Sequence, residues 1–210
     1  MFFRITILSI ATFGMTTVVI AQSIEAPTYR VGESWVYAVK NRSVADCSGS
    51  AKAEDKETQT IIEINDAGYV AEITLAAEAR TYKSKLAKNL STTDVRDGKQ
   101  IVFDALNFPL KTGNTWDTTR SSGNVVTKLT CQQEEPEKMK VGADDFQVVP
   151  ISCKGRWTNV ASGGTNQATY KFWYSADIGN FVRRTIFTYY SGGKCVDVDA
   201  RLESFKKVIN

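Results

Sequence analysis

Asp197, Asp199 and Glu203 stand close together in "CVDVDARLESF" near the end of the chain. On a strand, Asp197 and Asp199 point the same way about 7 Å apart. A carboxylate pair at that spacing could share acid and base work, or with Glu203 hold a calcium ion. The same spacing describes the wet side of a strand whose other side carries Val196, Val198, Ala200 and Leu202. The second reading is preferred. Asp144 and Asp145 precede a strand pattern, where aspartate commonly forms a turn.

The chain contains no histidine. That removes Ser-His-Asp and Cys-His catalysis, the commonest metal ligand and the usual general base near neutral pH. No C-x-x-C pair occurs, so the cysteine spacing gives no zinc site. Neither a metal nor a cofactor is expected, and the protein reads as a non-enzyme.

Four cysteines remain, Cys47, Cys131, Cys153 and Cys195. Behind an export signal an even number reads as two disulfides. Cys131 shares a strand face with Val125 and Leu129, and Cys153 shares one with Val149, Ile151 and Trp157. Both thiols therefore point to an apolar side, which predicts a buried Cys131–Cys153 bridge between neighbouring strands. Cys195 has the parity of Asp197 and Asp199, so a Cys47–Cys195 bridge is expected at the surface.

Arg183 and Arg184 are consecutive within "FVRRTIFTYY". Adjacent strand residues point to opposite sides, so one arginine must face inward, where a charge needs a partner. That partner is expected to be the ring of Trp35 or Trp116, or the anionic head of a ligand. In "TYKFWYS", Tyr170, Phe172 and Tyr174 share one face and Trp173 lies opposite. Trp35, Trp116, Arg183, Arg184, Tyr170 and Phe172 form the expected ligand-binding set. Trp173 would serve a protein partner if its side of the sheet were exposed.

These residues need strands to aim them, and the chain is patterned for strands. Alternating runs are separated by Gly-bearing turns: "NDAG", "DVRDGKQ", Ser122-Gly123-Asn124, "ASGGTNQA" and "SGGK". Residues 69–81 alternate, with Ala71, Ile73, Leu75, Ala77 and Ala79 on one face. Residues 82–90 also fit a short helix, because Leu75, Ala79, Tyr82, Leu86 and Leu90 follow steps of three and four. The whole reads as an all-β antiparallel meander of about ten strands, strongly curved or barrel-like, with one short helix allowed. Two Gly-x-x-Trp steps, Gly32 to Trp35 and Gly113 to Trp116, place a permissive turn before a strand that starts with a large apolar plug.

"FPLKTGNTW" at 108–116, "VGADDFQVVPI" at 141–151 and "FWYSADIGNFVRR" at 172–184 carry a resemblance. Together they resemble a domain of unknown function found in exported proteins of Gram-negative bacteria, related in shape to the periplasmic lipoprotein-localisation carriers. The resemblance covers roughly half of the chain beyond its leader and rests on turn and core residues. It implies a strongly curved antiparallel sheet with an apolar concave side. The soluble carriers lack the four cysteines found here.

The first residues complete the picture. Arg4 precedes an uncharged stretch over 5–20, and Val19 and Ala21 occupy the −3 and −1 places before Gln22. Residues 1–21 read as a removable signal peptide and 22–210 as a single β domain. No later segment is apolar enough to span a membrane as a helix. With 26 basic and 23 acidic residues, the charge balance gives no case for nucleic acid. The expectation is a periplasmic or secreted envelope protein holding a lipid or other apolar ligand on its concave side. The alternative is a module that docks an envelope protein partner through exposed aromatics.

Overall fold

The computed structural model describes residues 23–44, 54–96, 99–103, 105–190 and 195–209. The expected signal segment at 1–21 lies outside these residues, as does Cys47.

Thirteen strands run in antiparallel order among the described residues. The first six are β1 (Ser34–Val44), β2 (Asp55–Asn65), β3 (Gly68–Leu75), β4 (Arg80–Ala87), β5 (Thr92–Arg96) and β6 (Lys99–Phe103). The remainder are β7 (Thr115–Ser122), β8 (Val125–Gln133), β9 (Glu137–Val141), β10 (Asp144–Asn159), β11 (Thr165–Ser175), β12 (Asn180–Tyr189) and β13 (Cys195–Lys206). The all-β meander expected from the turn spacing is therefore present, with more and shorter strands.

Each strand pairs with its neighbour in sequence, except around β9. The long β10 does two things. Its first residues, Asp144–Val148, form a hairpin with β9. Its later residues pair on both sides, Val149–Thr158 with β11 and Ile151–Asn159 with β8. Since β13 pairs with β1, the ladder of all strands but β9 returns on itself. That return satisfies backbone groups that would otherwise line free edges. The ladder is thinnest between β4 and β5 and between β6 and β7, where three residue pairs join each couple.

β4 replaces the helix allowed at 82–90. Thr81, Lys83 and Lys85 are exposed while Ser84 is buried, a period of two. Pairing along the whole of β3 outweighs the helix preference of Ala and Lys. The expected strand over 69–81 stops at Leu75 and turns through Ala79, which takes a φ of 46°.

Alternation is sharp where both neighbours are long. Thr127, Leu129, Cys131 and Gln133 are buried, whereas Lys128, Thr130 and Gln132 are exposed. Gly155 shows how close the backbones come. A Cβ there would lie 2.0 Å from the carbonyl oxygen of Lys128 on β8. The Cys131–Cys153 disulfide forms as expected, between residues directly opposite each other in the β8–β10 ladder and fully buried.

One end of the ring is capped. Gly32 (φ 91°) and Gly113 (φ 82°) take the left-handed turns that the Gly-x-x-Trp steps require. Trp35 then enters the cap, fully buried, donating from Nε1 to the Ile178 carbonyl at 3.1 Å. Tyr29 meets it edge-on and donates to the Gly179 carbonyl at 2.6 Å. The segment before β1 also bridges to Leu110 through paired backbone bonds from Ile24. Leu106, Leu110 and Ile178 are buried beneath these contacts.

Candidate ligand cavity

Inside the ring lies a cavity of about 630 Å³. Its walls are the inward-facing sides of the strands. Ala71, Ile73 and Leu75 of β3 supply one apolar wall, and Phe172, Ile186 and Val198 another. The parity expected for β13 holds here, with Val198 in the cavity and Ala200 and Leu202 buried.

The inward arginine is Arg184. Its Nη2 reaches both carboxylate oxygens of Glu57 at 2.6 Å, and its guanidinium lies 5.1 Å from the Tyr37 ring centroid. Neither Trp35 nor Trp116 receives it, which corrects the expected stacking. Burial works against the Arg184 charge, but the Glu57 carboxylate outweighs it and holds the guanidinium above its ordinary value. Gln59 donates to Glu57 at 2.6 Å, and Asn180 to Gln59 at 3.4 Å. Tyr37 donates to the Phe181 carbonyl, and burial pushes its hydroxyl well above the usual tyrosine range. A polar network thus crosses β1, β2 and β12 on the cavity wall. Ser84, on the β4 wall, is buried and its Oγ has no hydrogen-bond partner.

Away from the capped end the cavity is aromatic and cationic. Arg120 of β7 lies 6.0 Å from the Phe103 ring centroid and 5.9 Å from that of Tyr170. Its Nη1 donates to the Tyr170 hydroxyl at 3.3 Å. Trp157 and Tyr190 stack at 4.9 Å beside it, and Trp157 Nε1 donates to the Tyr189 carbonyl. Burial raises the Tyr190 hydroxyl and the nearby Tyr170 adds to this, while Arg120 opposes them.

Of the six residues expected to bind ligand, Arg184, Tyr170 and Phe172 line this cavity. Trp35 belongs to the cap. Trp116 is partly buried at the start of β7, directly opposite Cys131, and its indole nitrogen has no partner. Arg183 faces outward. Its guanidinium pairs with Asp199 at 2.8 and 3.0 Å and lies 5.0 Å from the Trp173 ring centroid. Lys171 approaches the same ring at 5.1 Å, and Trp173 Nε1 donates to Glu137 at 2.7 Å. Trp173 is therefore only 9% exposed, covered by charged side chains and not displayed to a partner.

Asp199 also accepts two bonds from Arg201. Burial alone would raise its carboxyl, yet the bonds from Arg183 and Arg201 hold it below the ordinary aspartate value. It is a structural anion on the outer face. Cys195, expected on that wet side, is buried, and among the described residues its thiol has no disulfide partner. Parity fixes which side a residue faces and says nothing of what packs over that side. The expected pairing with Cys47 falls outside the described residues.

The sequence reading missed Arg120 and Glu57. Arg120 sits in "TWDTTRSS", where alternation alone places it on the side of Trp116, so parity could have found it. Glu57 gave no such signal, because a lone inward carboxylate looks the same as a register error. Among the described residues no cluster of acidic or cysteine side chains could hold a metal, and no helix is long and apolar enough to cross a membrane.

No family model and no curated protein matches this chain. Four chains of solved structures do, among them two at a TM-score of 0.50 or above. A candidate exported protein with a YmcC-like fold from Bacteroides fragilis is 12% identical, with a TM-score of 0.51, covering 89% of this chain and 100% of that one. A candidate lipoprotein from Parabacteroides distasonis is 11% identical, with a TM-score of 0.50, covering 88% and 100%. At these identities the likeness shows a shared fold.

Proposed function

We propose that this protein is a non-enzymatic component of the bacterial cell envelope that holds an apolar or amphiphilic small molecule inside its ring of strands. The observation that carries the reading is the cavity of about 630 Å³, within the usual size range for small-molecule sites. Its apolar walls are crossed by a few placed polar groups, the usual composition of such sites.

Export is supported by three independent features. The first residues have the grammar of a signal peptide. The buried Cys131–Cys153 bridge suits an oxidising compartment. The structural neighbours are described as exported or as a lipoprotein. The outward faces of β8 and β10 carry exposed Lys128, Thr130, Lys154 and Arg156. A membrane-spanning barrel needs an apolar band outside, so the polarity here favours a water-facing body with a greasy interior.

Native mass spectrometry of protein purified from its own envelope, before and after organic extraction, tests the reading. An added mass that leaves on extraction, and uptake of a fluorescent fatty acid by the extracted protein, are expected. Absence of both would overturn it.

A further inference from the structure

The charges in the cavity do not balance locally, and the imbalance is specific. The charged residues on its described wall are Asp55, Glu57, Glu78, Arg80, Arg120 and Arg184. Glu57 answers Arg184 at 2.6 Å, and Glu78 answers Arg80 at 2.8 Å. Asp55 accepts backbone N–H bonds from Lys56 and Ala77, each at 2.7 Å. Arg120 is left with a neutral phenol oxygen at 3.3 Å and two aromatic faces. Among the described residues it has no carboxylate partner. A guanidinium carries five N–H donors in a planar fork suited to carboxylate or phosphate. Here at most one of them is used by a side chain.

Position gives that unanswered charge a role. Arg120 lies one inward-facing step before Ser122, which ends β7 away from the cap. The Phe103 and Tyr170 rings flank its guanidinium at 6.0 and 5.9 Å, and one donor reaches the Tyr170 hydroxyl. The apolar walls of Ile73 and Leu75 offer room beyond it for a hydrocarbon chain. We infer that Arg120 is the recognition residue for the negatively charged head of the occupant, and that the occupant is an anionic single-chain amphiphile. This inference rests on the cavity reading above and narrows it to a ligand class.

Binding of dodecanoate, dodecyl phosphate and dodecanol, each below its micelle threshold, to extracted protein tests it. Wild type is expected to bind either anion at least about tenfold more tightly than dodecanol, the worth of one charge-assisted hydrogen bond. Arg120→Gln should bring both anions down to the dodecanol level, and Arg120→Lys should keep part of the preference. The tighter of the two anions identifies a carboxylate or a phosphate head. Equal binding of dodecanol and the anions by wild type would overturn the inference while leaving the cavity reading intact. So would an anion preference that survives Arg120→Gln. Failure of wild type to bind any of the three would bring down both. Should the glutamine variant not fold, the wild-type comparison decides, since it needs no substitution.

Discussion

Inside the ring, Arg184 and Glu57 have given up most of their water. Each is tolerable only because the other is there. Removing one partner strands a buried charge, which typically costs about 3–5 kcal/mol, whereas replacing both with apolar groups of similar size is often near neutral. Glu57→Gln should therefore lower the urea unfolding midpoint sharply, and the double variant Glu57→Gln with Arg184→Met should recover much of the loss. A double-mutant cycle that showed simple additivity would argue against the pairing. Asp199 behaves differently because it sits on the outer face. Its folded carboxyl is held below the ordinary value, so its contribution is present above the unfolded pKa of about 3.9 and is lost as pH falls through the folded pKa. Urea midpoints measured from pH 6 down to pH 2 should fall more steeply for wild type than for Asp199→Asn. The difference is expected to be about 1 kcal/mol or less, since Arg201 is largely solvated.

The β8–β10 ladder is where several strand-level demands meet. It carries the disulfide, a close backbone approach at Gly155 and the step at which the ladder passes over β9. Gly155→Ala would drive a methyl group into the Lys128 carbonyl, so β8 and β10 would have to part. A loss of about 1–3 kcal/mol is expected from overpacking of this kind, read as a lower thermal midpoint and faster amide exchange in both strands. The bridge spans 22 residues, and on the chain-entropy model its loss costs about 3 kcal/mol. The Cys131→Ala, Cys153→Ala variant should show that loss in urea, and reduction of the wild type should reproduce it. Much of this element was legible beforehand, because period-two alternation in "VVTKLTCQ" and "PISCKGRW" aims both thiols at one apolar side. β4 was less legible. Its Ala, Lys and Leu residues satisfy a helical period equally well, and only the presence of β3 alongside selects the strand.

At the scale of the molecule, consecutive hairpins curl until the first and last strands pair, and the apolar faces become the lining of an enclosed space. Its capped end is built from segments outside the ladder, with Tyr29, Leu110 and Ile178 packed around Trp35. The opposite end of the cavity carries Arg120, Trp157 and Tyr190. If the cavity is where a ligand sits, filling it should block uptake without unfolding the protein. Ile186 is only partly buried and faces the cavity. Ile186→Trp is expected to reduce fluorescent fatty-acid uptake at least about tenfold while leaving the thermal midpoint within a few degrees of wild type. Unchanged uptake would place the ligand elsewhere.

Local pattern was enough for the fold class, the meander order, the Cys131–Cys153 pairing and the rule that one of Arg183 and Arg184 faces inward. All of these follow from local chemistry: alternation has a period of two, turns need glycine, and neighbouring strands pair. It could not determine which arginine faces inward, because the bulge in the β11–β12 ladder beside Trp173 shifts the register there. Nor could it tell that Trp35 belongs to the cap, that Trp173 is roofed by charges, or that Glu57 and Arg120 share a cavity with residues far away in the chain. Those facts depend on which distant strands the closing ladder sets face to face, and that is decided only when the ring forms.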